Sequence, residues 1–439
     1  MLTNLLCHTT HRMRCVILMA GGGASRGAHM ALGNTVLVGQ SGGPTAAINA
    51  SLAGVVGAAR TAGLHTVGMR YGIQGLFDGR TVDLDERLAG PSQLELLSHT
   101  PSSYLGSCRY KLPDPSTDET PYRTLFQRFS ELGARAVLYI GGNDSMDTIA
   151  KLSRYGEATG SRIRFVGVPK TIDNDLILTD HTPGYGSAAK FIAVTVDELA
   201  CDADVYDLKS VTFVEIMGRD AGWLAASAAL AGEAGGHAPD LVLLPEVPLD
   251  EQVLLQRLLG LLGEKNTVVV AVSEGVRTAD VTLICERAGS TARIDAFGHA
   301  AALSGTSRYL ADLARRELGC KTRAVELCTT QRCAVHLASQ ADLTEAAGLG
   351  ARGVNAALDG ASGVMSALAR VSDAPYEVRY ELVDVNRVAN AVKAVPAEMI
   401  REDGMGVTEA YLRYARPLIA GEPSLSFVGG VPAHVAPLA

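Results

Sequence analysis

The stretch Gly167-Val-Pro-Lys-Thr-Ile-Asp-Asn-Asp175 decides how the rest of the chain is read. The run Ile163 to Val168 before and into it has the length and apolar content of a short buried strand. Pro169 ends that strand, because proline cannot donate to a sheet ladder. One Lys, one Thr, two Asp and one Asn then follow within six residues. In open α/β sheets ligands bind beyond the carboxyl ends of strands, which is where this cluster falls. A solvated loop has a similar composition, so its meaning depends on its surroundings.

Those surroundings are regular. Strands are expected at 35–39, 65–69, 136–140, 211–217, 241–244, 267–272 and 323–327. Helical patterns fall at 46–62, from about 141 to 152, and at 187–201, 221–231, 249–263, 300–317 and 340–358. Strands alternating with helices of this length predict an α/β fold of parallel sheets covered on both faces. The region from about 71 to 120 reads as irregular, and 374–439 has no clear pattern. Residues 1–33 fit poorly with the α/β rhythm that begins at Thr35, and Met30 offers a second start. They are expected to be a dispensable extension.

At 439 residues the chain has the length of two or so domains, at about 150 residues each. Forty-seven glycines exceed the usual share of about 7% and gather at strand ends, which suits backbone packed closely against ligands. A net charge of −8 argues against a nucleic-acid footprint, and the aromatic residues form no stacking pattern. Eight scattered cysteines without a C-x-x-C pair argue for reduced thiols in the cytosol. No run of 18 apolar residues exists to span a membrane.

Four glycine turns follow strands: Gln40-Ser-Gly-Gly-Pro44, Gly141-Gly-Asn-Asp-Ser145, Thr182-Pro-Gly-Tyr-Gly-Ser187 and Met217-Gly-Arg-Asp-Ala-Gly222. A glycine turn opening onto a helix faces backbone N–H groups toward an anion. Several such turns, with Arg109, Lys170 and Arg219 beside them, point to a ligand carrying more than one phosphate. No G-x-x-x-x-G-K-[ST] occurs, so a Walker P-loop is excluded.

Gly-Gly-Asn-Asp-Ser, then Pro-Lys-Thr-Ile-Asp-Asn-Asp, then Met-Gly-Arg-x-Ala-Gly resembles the phosphofructokinase family, and within it the pyrophosphate-dependent branch. The motif order runs unbroken from about 34 to 400. The resemblance implies two Rossmann-like domains with the active site in the cleft between them. It places the phosphoryl donor on residues 34–205 with part of the C-terminal region, and fructose 6-phosphate on 206–400; 401–439 has no assignment.

The resemblance also implies roles. Asp173 matches the general base that takes the proton of the sugar 1-hydroxyl, a task suited to a carboxylate because an alcohol is a poor nucleophile until its proton leaves. Asp144 and Lys170 stand where ATP-using relatives carry glycine. Asp144 would reject ATP by bulk and charge, and Lys170 would stabilise the transferred phosphoryl group. Gly42, Gly43 and Arg109 would complete the pyrophosphate site, and Asn49 matches an asparagine in relatives.

For fructose 6-phosphate the matches are Thr171, Ile172, Asp173, Met217, Gly218, Arg219, Glu274, Arg323 and Arg332. The two last would clamp the 6-phosphate, Arg323 reaching over from a neighbouring subunit, which implies at least a homodimer. Relatives often carry His at the position of Thr329. Mg²⁺ is the expected cofactor, but Asn143 stands where the family has its metal-binding Asp, so Asp144 is a second candidate ligand. Asp175 is expected to be structural or to meet a metal-bound water. His299 and His336 read as packing or helix-end residues, and the cysteines as incidental.

The expected activity is reversible, cytoplasmic phosphoryl transfer from pyrophosphate to fructose 6-phosphate. An ATP-dependent kinase on the same scaffold is the first alternative, disfavoured by Asp144 and Lys170. A regulatory phosphosugar-binding subunit is the second, disfavoured because Asp173, Lys170, Arg219 and Glu274 are all present.

Overall fold

Seven strands build one sheet and four another, in a computed structural model that describes residues 33–438 apart from 234, 288–302 and 390. The first sheet contains β1 (Thr35–Gln40), β2 (His65–Met69), β3 (Thr81–Asp83), β4 (Ala134–Gly141) and β5 (Arg164–Pro169). The second contains β6 (Ser210–Ile216), β7 (Leu241–Leu243), β8 (Thr267–Ser273) and β9 (Lys321–Glu326). Two later strands, β10 (Val364–Asp373) and β11 (Tyr376–Asp384), return to the first. The orders are β11-β10-β5-β4-β1-β2-β3 and β7-β8-β6-β9.

All six residues of β1 and all seven of β8 are buried. A parallel strand covered by helices on both faces buries both sets of side chains, so it reads as a continuous apolar run. Val36 and Val38 join the apolar cluster on one face of the first sheet, and Leu37 joins the cluster on the other. The helix Ile48–Thr61 crosses the helix Gln340–Leu358 at short range. A Cβ at Gly54 would lie 2.0 Å from the carbonyl oxygen of Ala347, and one at Gly350 would lie 2.2 Å from that of Ser51. Only glycine permits that approach.

The expected parallel sheets are present, and the first carries an antiparallel strand at each of its two edges. β3 runs antiparallel to β2, and β11 antiparallel to β10, while β10 joins β5 in parallel over Val364 and Met365. The pattern at 376–384 alternates Tyr376, Val378, Tyr380 and Leu382 with Glu377, Arg379 and Glu381, a half-covered strand in a region read as patternless. The 71–120 region holds short helices at Gly72–Phe77, Leu84–Arg87 and Pro91–Ser98. The helix expected at 221–231 is one α-turn, Trp223–Ser227, continued as a 3-10 helix. The helix expected from 300 is seen from Thr306; His299 and most of the N-terminal extension lie outside the described residues. Among the described residues no helix is long and apolar enough to cross a membrane, and the six described cysteines are free thiols.

A buried ionic knot fixes the loop after β5. The ring of His181, 1% exposed, meets Asp180 at 2.8 Å through Nδ1 and Glu345 at 2.6 Å through Nε2. Arg370 of β10 donates to the same oxygen of Asp180 at 2.9 Å, and Tyr376 of β11 donates to Glu345 at 2.6 Å. Burial alone would push the imidazole toward its neutral form. Its hydrogen bonds to the two carboxylates, with their charges, overcome that and raise its pKa to about 9.

The folded pKa lies above the ordinary value of about 6.5, so this stabilisation is full below about pH 6.5 and is lost as pH rises toward about 9. Its size is about 3 kcal/mol. Urea unfolding from pH 6 to 9 should show that decline, and His181→Leu should remove this contribution to the slope while costing about 3–5 kcal/mol at pH 6, because Asp180 and Glu345 stay buried without the cation that bridges them.

Candidate active site

β5 delivers its chemistry at Pro169, one residue before Lys170. Lys170 is 2% exposed, and its Nζ donates to the carbonyls of Ser41 at 2.9 Å and Gly43 at 2.5 Å. The lysine therefore sits directly beneath the glycine turn after β1. Gly42 holds φ +76°, and a Cβ there would be 3.5 Å from the lysine nitrogen. Burial drives Lys170 toward its neutral form, to a pKa of about 7, against the pull of Asp173. The charges of Arg332 and Arg109 bear on it in the same direction as burial.

The loop from 171 is held in a single shape. Thr171 pairs with Gly184 as an isolated bridge, and its Oγ1 accepts from the backbone N–H of Asp173 at 3.1 Å while donating to that carboxylate at 3.3 Å. Asn174 takes the left-handed φ of +53°, which Asn tolerates better than most residues. Its amide donates to the Tyr414 hydroxyl at 2.9 Å and accepts from the N–H of Thr182 at 3.0 Å. Lys393 donates its backbone N–H to the carbonyl of Asp175 at 2.8 Å and its ammonium to that of Asp180 at 2.8 Å. Asn174, Lys393 and Tyr414 escaped the sequence reading; only the Asn beside two Asp could have hinted at a forced backbone turn.

Asp173 and Asp175 lie deep but keep part of their surface open. Burial raises both, and in Asp175 the charge of Asp173 adds to it. Asn143 opens the helix Asn143–Ala158 after β4 and donates to Asp175 at 3.0 Å, while its own Oδ1 is buried without a hydrogen-bond partner. Asp144, the next residue, is exposed on the first turn of that helix, where a carboxylate suits the helix dipole.

From the second sheet, Met217, Gly218 and Arg219 follow β6, and Glu274 follows β8. The Gly218 N–H donates to Glu274 at 3.4 Å, and the Met217 N–H donates to Gln331 at 3.3 Å. Glu274, 8% exposed, is raised to about 7 by burial, and the charge of Asp173 also bears on it. Arg219 acts on both Asp173 and Glu274. The carboxyl ends of the two sheets thus face one another across Asp173.

Other expected residues fall elsewhere. The Ile172 side chain is core, in the same apolar cluster as Tyr185 and Trp223. Asn49 is buried and ties the 100–104 loop, donating to the carbonyls of Thr100 and Ser102 at 2.8 Å each. Arg323, on edge strand β9, pairs with Asp202. Arg332 turns toward the other lobe: a Cβ on Gly43 would lie 3.2 Å from its guanidinium. The structure therefore does not bring Arg323 and Arg332 together within one chain. Thr329 and His336 are exposed.

Two mostly parallel sheets that present a buried lysine, paired carboxylates and glycine turns to a common cleft define a two-lobed α/β class that holds phosphorylated ligands. Sequence and fold comparisons make it specific. The chain belongs to the phosphofructokinase family, whose description, Phosphofructokinase, matches residues 35–357. It is 41% identical over 403 residues to the pyrophosphate--fructose 6-phosphate 1-phosphotransferase of Xanthomonas campestris pv. campestris (strain B100), covering 91% of this chain and 95% of that protein. A sulfofructose kinase of Alkalicoccus urumqiensis is 30% identical over 362 residues, covering 81% and 88%. The crystal structure of a pyrophosphate-dependent phosphofructokinase from Nitrosospira multiformis superposes with a TM-score of 0.82 at 33% identity, covering 92% and 96%.

Enzymes of this family generally need a divalent metal ion. The residues here fit one: the orphaned Oδ1 of Asn143 is a hard oxygen donor beside the Asp175 carboxylate.

Proposed function

We propose that this chain catalyses reversible phosphoryl transfer from pyrophosphate to the 1-hydroxyl of fructose 6-phosphate, giving fructose 1,6-bisphosphate and phosphate. The observation that carries it is the seat of Lys170 under the Gly42-Gly43 turn, with Asp173 three residues further along the same loop. A cation there meets the phosphates of the donor, and the carboxylate meets the hydroxyl that attacks them.

In this reading Asp173 accepts the proton of the 1-hydroxyl as the oxygen attacks the near phosphorus of pyrophosphate in line. Thr171, donating to Asp173, fixes which carboxylate oxygen receives it. Lys170 and Arg109 offset the charge on the phosphoryl group and the departing phosphate. Arriving phosphates raise the depressed pKa of Lys170, so the ammonium charge is strongest where the reaction needs it. Met217, Gly218, Arg219 and Glu274 hold the sugar. Arg332, beside Gly43, reaches the space between donor and sugar phosphate, while Arg323 on its open edge strand serves a neighbouring copy in a homodimer or larger assembly. Mg²⁺, held by Asn143 with Asp175 or Asp144, would supply charge neutralisation between the phosphates. The first-sheet lobe binds the donor and the second-sheet lobe the sugar, in the cytoplasm.

Phosphorus NMR tests the reaction. Pyrophosphate and fructose 6-phosphate should yield the bisphosphate and inorganic phosphate, and the same enzyme should regenerate pyrophosphate from those products. One-way hydrolysis of pyrophosphate with the sugar untouched would contradict the proposal. Donor choice predicts a further result. Asp144→Gly removes the exposed carboxylate that stands in the nucleotide's place, so ATP-driven turnover should rise at least about tenfold. Steady-state assays of wild type and variant with each donor check it.

A further inference from the structure

A second cluster of ligating side chains lies on the far end of the helix Tyr185–Ala203, away from the cleft. Asp197 and Cys201 are four residues apart and so share one helix face. His237 arrives from the loop before β7. Its backbone N–H donates to Asp197 Oδ1 at 2.7 Å, and a Cβ on the preceding Gly236 would lie 2.5 Å from that same oxygen. Glycine at 236 is what lets the loop lie so close to the helix.

The three ligand atoms converge. Cys201 Sγ is 3.4 Å from His237 Nδ1, Nδ1 is 3.7 Å from Asp197 Oδ1, and Sγ is 4.0 Å from Oδ1. A tetrahedral zinc ion with sulfur at about 2.3 Å and nitrogen and oxygen at about 2.0–2.1 Å spaces its ligands about 3.4–3.6 Å apart. The observed triangle is close to one face of such a tetrahedron. A thiol–imidazole–carboxylate relay would need the carboxylate on the imidazole nitrogen turned away from the sulfur. Here sulfur and carboxylate both face Nδ1, which suits a shared ion and not a relay.

We propose that Asp197, Cys201 and His237 form a binding site for a borderline-soft divalent ion, Zn²⁺ by its ligand set. Thiolate and imidazole favour zinc over magnesium or calcium, and three protein ligands on an open surface leave the fourth position to water. Binding displaces the thiol proton of Cys201. Asp197 is twelve residues along the helix from Tyr185, about 18 Å by helix rise, so the ion takes no part in phosphoryl transfer.

The test uses the full chain, reduced and stripped of metal by chelator. Titrated Co²⁺ should give a thiolate-to-metal charge-transfer band saturating at one equivalent, and Zn²⁺ should bleach it. Cys201→Ser should abolish the band and weaken Zn²⁺, measured against a chromophoric chelator, by at least about 100-fold, an effect beyond the usual outer-shell range of about 10–100-fold. His237→Gln and Asp197→Asn should weaken it too, while Cys333→Ser, altering an exposed thiol elsewhere, should keep both band and affinity. Absence of the band in the parent chain, or equal Zn²⁺ affinity in Cys201→Ser, would overturn the proposal.

Discussion

Serine in place of Asp173 lowers turnover by about 10²–10⁴-fold, the span that a positioned general base contributes, while fructose 6-phosphate binds within a few-fold of normal. The asymmetry follows from the site. The sugar's contacts are assigned to the second-sheet turns, Met217 to Arg219 and Glu274, which hold one another through the Gly218–Glu274 hydrogen bond. Asp173 approaches from the opposite loop, and that loop is pinned independently by Asn174, Thr182, Tyr414 and Lys393. Removing its carboxylate leaves the loop's anchors in place. It also relieves a buried charge beside Asp175, so thermal stability should hold or rise. Calorimetric titration of the sugar phosphate with steady-state kinetics reads both quantities. Turnover within tenfold of normal would mean that another group takes the proton.

Lys170→Met should lower kcat by about 10²–10³-fold, the cost of losing one preorganised donor to a developing oxyanion. It should also raise the KM for pyrophosphate, because the lysine supports the Gly42-Gly43 turn through the carbonyls of Ser41 and Gly43. A buried ammonium destabilises the fold it sits in, as its depressed pKa records. The methionine variant should therefore melt no lower than the parent. That separates a chemical role from a structural one: if Lys170 were only a strut, the variant would lose stability and keep its kcat.

Much of this was legible in the chain because parallel strands buried on both faces announce themselves. β1, β4, β6 and β8 read as apolar runs, and each ends at a glycine turn or a polar cluster. The helix Gln340–Leu358 falls at its expected bounds, since its small residues answer those of Ile48–Thr61. The return of β10 and β11 to the first sheet was not legible. A hairpin that meets its sheet through two residues of β5 is a long-range choice that no local pattern encodes. The short helices of 71–120 escaped because helices of four to eight residues carry too few turns to show a period.

At the site, residue types carried the chemistry and the fold carried their directions. Lys170 and Asp173 were marked by their neighbours in sequence. That Lys170 points beneath the Gly42 turn depends on β1 and β5 lying in one sheet, and that Arg332 turns toward Gly43 depends on two lobes meeting. The contact of Asn143 with Asp175 joins residues 32 apart in the chain, and no local pattern shows that it leaves the amide oxygen of Asn143 buried without a partner.

Donor choice is the centre of the account, and one steady-state comparison tests it. Purified protein with fructose 6-phosphate and a divalent metal is given either pyrophosphate or ATP, and formation of fructose 1,6-bisphosphate is followed by a coupled assay. The account predicts kcat/KM for pyrophosphate at least about a hundredfold above that for ATP, with Asp144 and Lys170 in place. Turnover with ATP and none with pyrophosphate would contradict it.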